Sequence, residues 1–154
     1  MAKVLIVGAG AAGLMAAGAA VRQGHQVTVL EHTEKPGQKI LVPPARTMEL
    51  FESLGVELKV ERGRRVFPVS DKAEEIRQAL LRYAQDAEIV YDGAKKLLLE
   101  ELPPEPEAAP AVPENPRHPK KKKAGPALRC VGVRGTSGKE YRADAVLVAT
   151  GGVS

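Results

Sequence analysis

The sequence is poor in several residue types that build functional sites. Its 154 residues include one cysteine, no tryptophan and only 3% aromatic residues. A single cysteine, Cys130, excludes an internal disulfide framework and a Cys-x-x-Cys metal site. The scarcity of aromatic rings disfavours stacking platforms for nucleic-acid bases. A lone thiol suits a reducing compartment, so we expect a cytoplasmic protein.

The sequence also lacks a broad excess of charge of one sign. The net charge is +4, and Arg117 with Lys120–Lys123 supplies five positive charges, so without this run the net charge would be −1. A nucleic-acid interface normally spreads its basic residues along a face or a helix. We therefore interpret the run as a solvated loop. A nucleic-acid or partner-binding surface at Lys120–Lys123 stays open as the disfavoured alternative.

One long stretch without charged side chains, Val4–Val21, meets the length threshold of a membrane span. Most of it is alanine and glycine, which contribute little transfer free energy. Its bulky residues stand at the start, as in a buried strand. We therefore expect a soluble protein without a membrane segment.

The N-terminal region predicts a strand, a helix and a second strand. Lys3–Val7 is apolar and too short for a helix, whereas Ala11–Gln23 is rich in alanine and is followed by Gly24. Gln26–Glu31 alternates and contains several valines, which favours a strand. Because the two strands are joined through a helix, we expect them to be parallel.

The rest of the chain predicts a mixture of short elements. A helix is expected at Thr47–Leu54 with Thr47 as N-cap, and another from Ser70 or Asp71, where Asp71 and Glu74 resemble a capping box. The pattern further predicts strands at Val56–Val60, Arg65–Val69, Glu88–Tyr91, Lys95–Glu100, Leu128–Arg134, Lys139–Arg142 and Ala145–Ala149. We expect Gly135–Gly138 to be a hairpin-like loop and Ala145–Ala149 to be an apolar, buried strand.

Proline density marks a segment of a different kind. Eight of the twelve prolines lie between Pro103 and Pro126, together with a glutamate-rich part and a lysine-rich part. Such a segment cannot form sheet ladders or bury a core. We expect residues 103–126 to be a disordered insertion in a single domain of residues 1–154. The predicted fold class is α/β, a Rossmann-like parallel sheet with an added antiparallel β-hairpin region.

The strongest functional motif is Gly8-Ala9-Gly10-Ala11-Ala12-Gly13, at the junction of the first strand and the first helix. Glu31 ends the next strand, 18 residues after Gly13. This arrangement is typical of dinucleotide-binding folds. Gly8 permits the tight turn, Gly10 lets a pyrophosphate approach the backbone, and Gly13 lets the helix lie close to the strand. The helix N-terminus attracts the phosphates.

Glu31 is expected to accept hydrogen bonds from both ribose hydroxyls of an adenosine. Its charge would repel a 2′-phosphate, which disfavours NADP at this site. The alternative is a Gly/Ala-rich helix that simply packs on a sheet, with Glu31 exposed. We favour dinucleotide binding because strand, glycines, helix and acidic residue occur together.

The sequence shows no catalytic constellation beside this motif. His25, His32 and His118 are scattered and have no partner at metal-ligand spacing. Cys130 lies in a predicted strand and is expected to be a small buried apolar residue. No metal site is predicted, and the catalytic residues are unknown. Flavin chemistry is compatible with this, because the cofactor performs the redox step.

Several segments resemble the bacterial FAD-dependent oxidoreductases known as BaiN-like or aminoacetone-oxidase-like flavoproteins. They are the N-terminal stretch through Glu31, EKPGQK, VERGRRVFPVSDKA and ADAVLVATGG. The resemblance implies FAD, with NAD(P)H left open as reductant, and a small-molecule substrate. It places the cofactor-binding residues at Gly8, Gly10, Ala11, Ala12, Gly13, Glu31, Lys39, Ala149, Thr150 and Gly151.

The chain also departs from that family. Gln38 replaces the usual arginine, and Leu41–Arg46 stands where the family has a glycine-rich segment against the flavin. The family continues beyond Gly152. The chain is therefore expected to resemble an N-terminal portion with an internal deletion. An FAD-binding oxidoreductase is the favoured function; a nucleotide-binding module or truncated pseudo-enzyme without catalysis is the alternative. The oligomeric state is not predicted.

Overall fold

A computed structural model describes residues 1–37, 46–63, 65–103 and 127–151 of the chain. Within these ranges the chain forms three helices and nine strands. They are β1 (Lys3–Val7), α1 (Ala11–Arg22), β2 (Gln26–Glu31), α2 (Arg46–Ser53), β3 (Leu58–Glu61), β4 (Arg65–Pro68), α3 (Ala73–Tyr83), β5 (Glu88–Tyr91), β6 (Ala94–Glu101), β7 (Leu128–Gly135), β8 (Glu140–Arg142) and β9 (Ala145–Val148).

A four-stranded parallel sheet forms the centre of the fold, in the order β5-β2-β1-β9. β1 pairs in parallel with β2 from Lys3↔Gln26 to Val7↔Leu30, and with β9 on its other side. The predicted Rossmann-like sheet is therefore confirmed. Two antiparallel sheets accompany it, the β3–β4 hairpin and the three-stranded β6-β7-β8 meander.

The two faces of the parallel sheet are covered by different layers. Side chains of a strand alternate between faces, and Ile6 of β1 belongs to the core formed with the helices. Leu5 and Val7 belong to a second core, which includes Val133 of the meander. β1 is thus buried on both sides, as its continuous run of apolar residues requires.

Helices α1 and α3 pack closely at Gly18. A Cβ atom at this position would overlap the Tyr83 ring, so only glycine allows this approach. The Arg22 guanidinium lies 3.7 Å from the centre of the same ring. The contact stabilises the helical layer behind β1.

The start of α3 differs from the predicted capping box. The N-cap is Lys72, and it makes no side-chain capping hydrogen bond. Asp71 instead adopts a φ of 57°, and its Oδ1 lies 2.7 Å from Lys59 Nζ. The capping prediction was wrong because the β3–β4 hairpin supplies a charged partner for Asp71 that sequence spacing does not reveal. Helix α2 likewise begins at Arg46, one residue before the predicted cap at Thr47.

Two predictions of burial also require correction. Ala145–Ala149 was expected to be a buried strand, but β9 lies at the edge of the parallel sheet among the described residues, and Leu147 and Val148 are 43% and 58% exposed. Cys130 is half-buried rather than buried, and its Sγ donates to the Gly132 carbonyl.

Some predictions fall on residues outside the described ranges. They concern Gln38, Lys39, His118, the run Lys120–Lys123 and nearly all of the proline-rich insertion. Within the described ranges, no helix has the length and apolar character needed to cross a membrane. The apolar stretch Val4–Val21 divides into β1, the glycine turn and most of α1.

Candidate functional site

Three connecting segments meet at the carboxyl-terminal edge of the parallel sheet. They are the glycine turn Gly8–Gly13 after β1, the segment that begins with Glu31 at the end of β2, and Ala149–Gly151 after β9. Ligands of open α/β sheets bind at this edge, because the parallel strands present their connections there together.

Gly8 is required by a contact between two backbones. Its φ is 102°, and a Cβ atom there would lie 2.5 Å from the carbonyl oxygen of Ala149. The Gly8 N–H donates to Leu30 O over 2.8 Å, and the Ala149 N–H donates to Val7 O over 2.8 Å. The turn is thus fixed between β2 and the segment that follows β9.

Gly13 and Gly10 serve different purposes. A Cβ atom at Gly13 would overlap the Gly8 carbonyl oxygen, so this glycine lets α1 pack against the turn. Apart from the chain neighbours of Gly10, no atom of the described residues lies within 4 Å of the corresponding Cβ position there. Packing within the described chain therefore does not explain Gly10, whereas a ligand close to the backbone would.

The N-terminus of α1 faces the same turn, and its first N–H groups have no partner among the described residues. The first hydrogen bond of the helix runs from the Leu14 N–H to the Gly10 carbonyl, over 2.9 Å. The N–H groups of Ala11, Ala12 and Gly13 therefore precede the helical ladder. Gly10 provides no side-chain cap, and the first turn has no acidic residue. This helix end attracts an anion through its N–H groups and its dipole.

Glu31 lies beside the turn and is only 6% exposed, so the alternative of an exposed Glu31 is wrong. Its Oε2 accepts from the Ala9 N–H over 2.7 Å. Its Oε1 accepts from the N–H and the hydroxyl of Thr33, both over 2.8 Å. Burial alone would raise the pKa of Glu31, but these hydrogen bonds outweigh it and lower the pKa. Glu31 is therefore a buried anion at neutral pH.

The segment after Glu31 folds back onto the glycine turn. The Gly37 N–H donates to the Ala9 carbonyl over 2.7 Å. Gly37 has a φ of 78°, and its Cβ position faces the Arg77 side chain at 3.0 Å. The segment is thereby held between the turn and α3, which keeps Thr33 close to Glu31.

Asp92, directly after β5, accepts hydrogen bonds from the β7–β8 hairpin and was not predicted from the sequence. It is 9% exposed. Its Oδ1 accepts from the Thr136 hydroxyl over 2.7 Å and from the Ser137 N–H over 3.1 Å. Its Oδ2 accepts from the hydroxyls of Ser137 and Tyr141. The Ser137 hydroxyl, followed by that of Thr136, holds the pKa of Asp92 far below its usual range.

A cavity of about 490 Å³ opens between the segments that carry these two carboxylates. Asp92 was missed because Asp92-Gly93 after a strand is indistinguishable from an ordinary turn. The only hint was the pair of hydroxyl residues in the predicted Gly135–Gly138 loop. The cavity is lined by His32, Thr33, Glu34, Tyr91, Asp92, Gly93 and Thr136.

The structure therefore brings together most of the predicted site. Gly8 contacts Ala149 and Gly13, and Glu31 is bonded to the turn through Ala9. Thr150 lies beside the turn as well, its Cα being 3.2 Å from the Cβ position of Gly8. Gly151 follows with a φ of 78°. Lys39 lies outside the described residues.

A protein-family comparison matches residues 1–108 to a family described as FAD binding domain. The match includes the glycine turn, Glu31 and Asp92, and it covers more than half of the chain. Comparison with curated proteins gave no significant match.

The fold is similar to those of several solved structures. THI4 of Thermovibrio ammonificans has a TM-score of 0.62 and 17% identity, over 97% of this chain and 57% of that chain. The GidA-related protein of Thermus thermophilus has a TM-score of 0.54 and 22% identity, over 96% of this chain and 52% of that chain. The flavin-dependent brominase Bmp2 has a TM-score of 0.59 and 14% identity, over 96% of this chain and 37% of that chain. The chain thus spans at most 57% of the length of these structures.

Proposed function

Since the chain belongs to the FAD binding domain family, we propose that it binds FAD through the ADP half of the cofactor at the glycine turn. The pyrophosphate would lie against Gly10 and the N–H groups of Ala11, Ala12 and Gly13. Gly8 shapes the turn, and Glu31 receives the ribose. Ala149, Thr150 and Gly151 form the opposite wall, and Lys39 completes the set of cofactor-binding residues. Each group has the chemistry that its part of the cofactor requires.

The adenine ring belongs in the cavity beside Glu31. A base is attached directly to the ribose, so a ribose at Glu31 places it among Thr33, Tyr91 and Gly93. The exposed Tyr91 side chain offers an apolar ring surface there, since it is 62% exposed. This assignment uses the described cavity nearest to the acidic residue.

The function that we propose for the whole protein is flavin-dependent oxidation and reduction of a small molecule in the cytoplasm. The bound flavin supplies the electron transfer, while the chain binds and orients it. Family membership and the flavoprotein fold support the chemical class. The resemblance of VERGRRVFPVSDKA to the BaiN-like oxidoreductases supports the narrower family. The substrate and any NAD(P)H partner are left open.

The observation that carries the proposal is the open space at Gly10. Among the described residues, no atom apart from its chain neighbours lies within 4 Å of the Cβ position of this glycine, yet it stands at a helix end whose donors have no partner in the described ranges, beside a buried carboxylate. A purely structural turn needs Gly8 and Gly13 but not Gly10. A bound pyrophosphate needs all three.

The test is titration calorimetry of FAD and ADP with the 154-residue chain and its Gly10→Val variant. We expect visible flavin absorption in the FAD complex and at least a tenfold loss of affinity for both ligands in Gly10→Val. Ala19→Val, at an exposed position of the same helix, is the matched control and should bind normally. Valine is a poor N-cap, at a cost of about 1 kcal/mol, so titrations are run well below the melting temperatures. Unchanged binding by Gly10→Val would show that the site is wrongly placed.

A further inference from the structure

Strand β6 lies at an edge of the meander, and among the described residues only β7 pairs with it. Seven of its eight residues are exposed. They include two large apolar side chains, Leu97 at 42% and Leu99 at 52% exposed. An open strand edge offers its N–H and C=O groups to another chain, and exposed apolar side chains there favour such pairing.

The sequence of β6 is complementary to itself when it is reversed. Two lysines precede three leucines, and two glutamates follow them, in the order Lys95-Lys96-Leu97-Leu98-Leu99-Glu100-Glu101. Antiparallel pairing of two copies about Leu98 opposes Lys95 to Glu101, Lys96 to Glu100, Leu97 to Leu99, and Leu98 to its own counterpart. Directly opposed charges of opposite sign and directly opposed apolar side chains both stabilise a sheet.

Symmetry limits the registers that two identical edges can adopt. Alternate residues of a strand point their N–H and C=O groups to the same edge, so a two-fold axis must pass between two copies of one residue. An axis at Lys96 or Glu100 would oppose like charges. An axis at Leu97 or Leu99 would oppose charged side chains to leucines. The charge order of β6 therefore selects the antiparallel register centred on Leu98.

Contacts within the chain are compatible with this register. The β6–β7 ladder is irregular between Ala94 and Lys96 and between Leu98 and Leu99. At the second irregularity the extra residue belongs to β7, so β6 itself runs without a bulge from Lys96 onwards. Glu100 Oε1 lies 2.9 Å from Arg142 Nη1, but the Glu100 side chain is still 56% exposed. A carboxylate has two oxygens and can bind a lysine as well.

We propose that β6 is a self-recognition surface, through which two copies of this chain associate about a two-fold axis at Leu98. The two meanders then form one continuous antiparallel sheet, and the same residues contribute from both copies. Because side chains alternate between faces, Leu97 and Leu99 of both copies cluster on one face, while the Lys96–Glu100 ion pairs lie on the other. A single pair of strands buries little area, so the association is reversible.

The experiment is sedimentation velocity on the full chain, from micromolar to sub-millimolar concentration. We expect the mean mass to rise from one chain towards two, and to rise less at high salt, which screens exposed ion pairs. Lys96→Glu and Glu100→Lys each place like charges opposite one another. Each should weaken association by about tenfold or more. Lys72→Glu, an equal charge change at an exposed residue outside the meander, is the matched control and should associate normally.

Mixing the two variants tests the register itself. In an equimolar mixture, each introduced glutamate meets an introduced lysine, so the mixture should associate although neither variant does so alone. The double variant Lys96→Glu/Glu100→Lys restores opposite charges within one chain and should associate with itself. Melting temperatures of all variants establish that they fold.

Three results would overturn the inference. The first is an unaltered chain that stays monomeric over the whole concentration range. The second is normal association of Lys96→Glu or of Glu100→Lys, which would place any dimer contact elsewhere. The third is loss of association in both single variants without recovery in their mixture, which would exclude the register centred on Leu98.

Discussion

Glu31 and Asp92 are two buried carboxylates at the ends of neighbouring parallel strands, and the fold uses them differently. Glu31 ends β2 and is paired in register with Tyr91 of β5, directly before Asp92. Both side chains are less than one-tenth exposed, and both have lowered pKa values. They nevertheless differ in where their hydrogen-bond donors come from and in how many donors the described residues supply.

Among the described residues, the donors of Glu31 come from the glycine turn and from its own segment, and Oε2 accepts a single hydrogen bond. The donors of Asp92 come from the β7–β8 hairpin, more than 40 residues away in sequence, and they fill both oxygens. A partly filled carboxylate can bind a ligand, whereas a filled one joins two parts of a fold. Glu31 is therefore suited to recognition, and Asp92 links the parallel sheet to the meander.

The largest effect on stability is expected from Asp92→Ala. It leaves the hydroxyls of Ser137 and Thr136 and that of Tyr141 without their acceptor, and it detaches the hairpin from β5. We expect the melting temperature to fall by several degrees, since loss of a buried hydrogen-bond network is among the most damaging changes. The exposed Asp86→Ala is the control. An unchanged melting temperature in Asp92→Ala would show that the meander is held by its apolar contacts alone.

Glu31→Gln should weaken nucleotide binding strongly and lower the stability only a little. We expect ADP and FAD affinity to fall about tenfold or more, because a hydrogen bond to a charged group is worth about 1.5–3 kcal/mol. The melting temperature should fall less than in Asp92→Ala, because the amide oxygen still accepts one of the turn donors. Calorimetry measures the loss of nucleotide affinity in the two variants, and thermal melts measure their loss of stability. The exposed Glu57→Gln is the control. Equal losses of affinity and stability in both variants would abolish the distinction between the two carboxylates.

The two carboxylates should contribute differently to the loss of folding stability at acid pH. Both have a folded pKa below the unfolded value, so the unfolded chain binds more protons in acid and the free energy of unfolding rises with pH. This stabilisation is complete above the ordinary carboxyl range near pH 4 and is lost as the pH falls below it. Asp92→Asn should flatten the acid dependence more than Glu31→Gln, because the pKa of Asp92 is lowered further. Urea unfolding between about pH 3 and 7 measures the pH dependence of the free energy of unfolding in each variant. A greater flattening in Glu31→Gln than in Asp92→Asn would contradict the prediction.

The smallest effect is expected from His32→Gln. The His32 side chain is 76% exposed, although its Nδ1 lies 3.1 Å from Glu31 Oε1. Water competes for an exposed partner, so this pair contributes little. We expect less than a threefold change in ADP affinity by calorimetry. A tenfold loss would show that His32, together with Thr33, holds the carboxylate in place.

The β1–α1–β2 unit was predictable because its determinants are local in the sequence. Gly8, Gly13 and Glu31 have spacing that follows from one strand, one turn and one helix, and the structure places them accordingly. The burial of Glu31 was less predictable, since it depends on hydrogen bonds from Thr33 and Ala9 that residue spacing does not specify. The cofactor, FAD, agrees with the family that the chain belongs to.

Features formed between distant segments were predicted less well. Asp71 looked like a helix cap but pairs with Lys59 of the neighbouring hairpin. The apolar residues of β9 predicted a buried strand, yet among the described residues only one edge of β9 is paired. The local pattern at Asp71 was real, but its partner came from another element. The exposure of β9 follows instead from the lack of a second neighbouring strand among the described residues.

The sequence by itself determined the order of strands and helices, the glycine turn and the acidic residue at the end of β2, because steric and hydrogen-bonding requirements act there over a few residues. Only the tertiary structure decided which carboxylate receives hydrogen bonds on both oxygens from a distant hairpin. Asp92 is filled by the hydroxyls of Ser137, Thr136 and Tyr141 because the meander folds over β5. The number of donors that reach a buried oxygen is a property of packing between segments distant in sequence, and composition and spacing do not encode it.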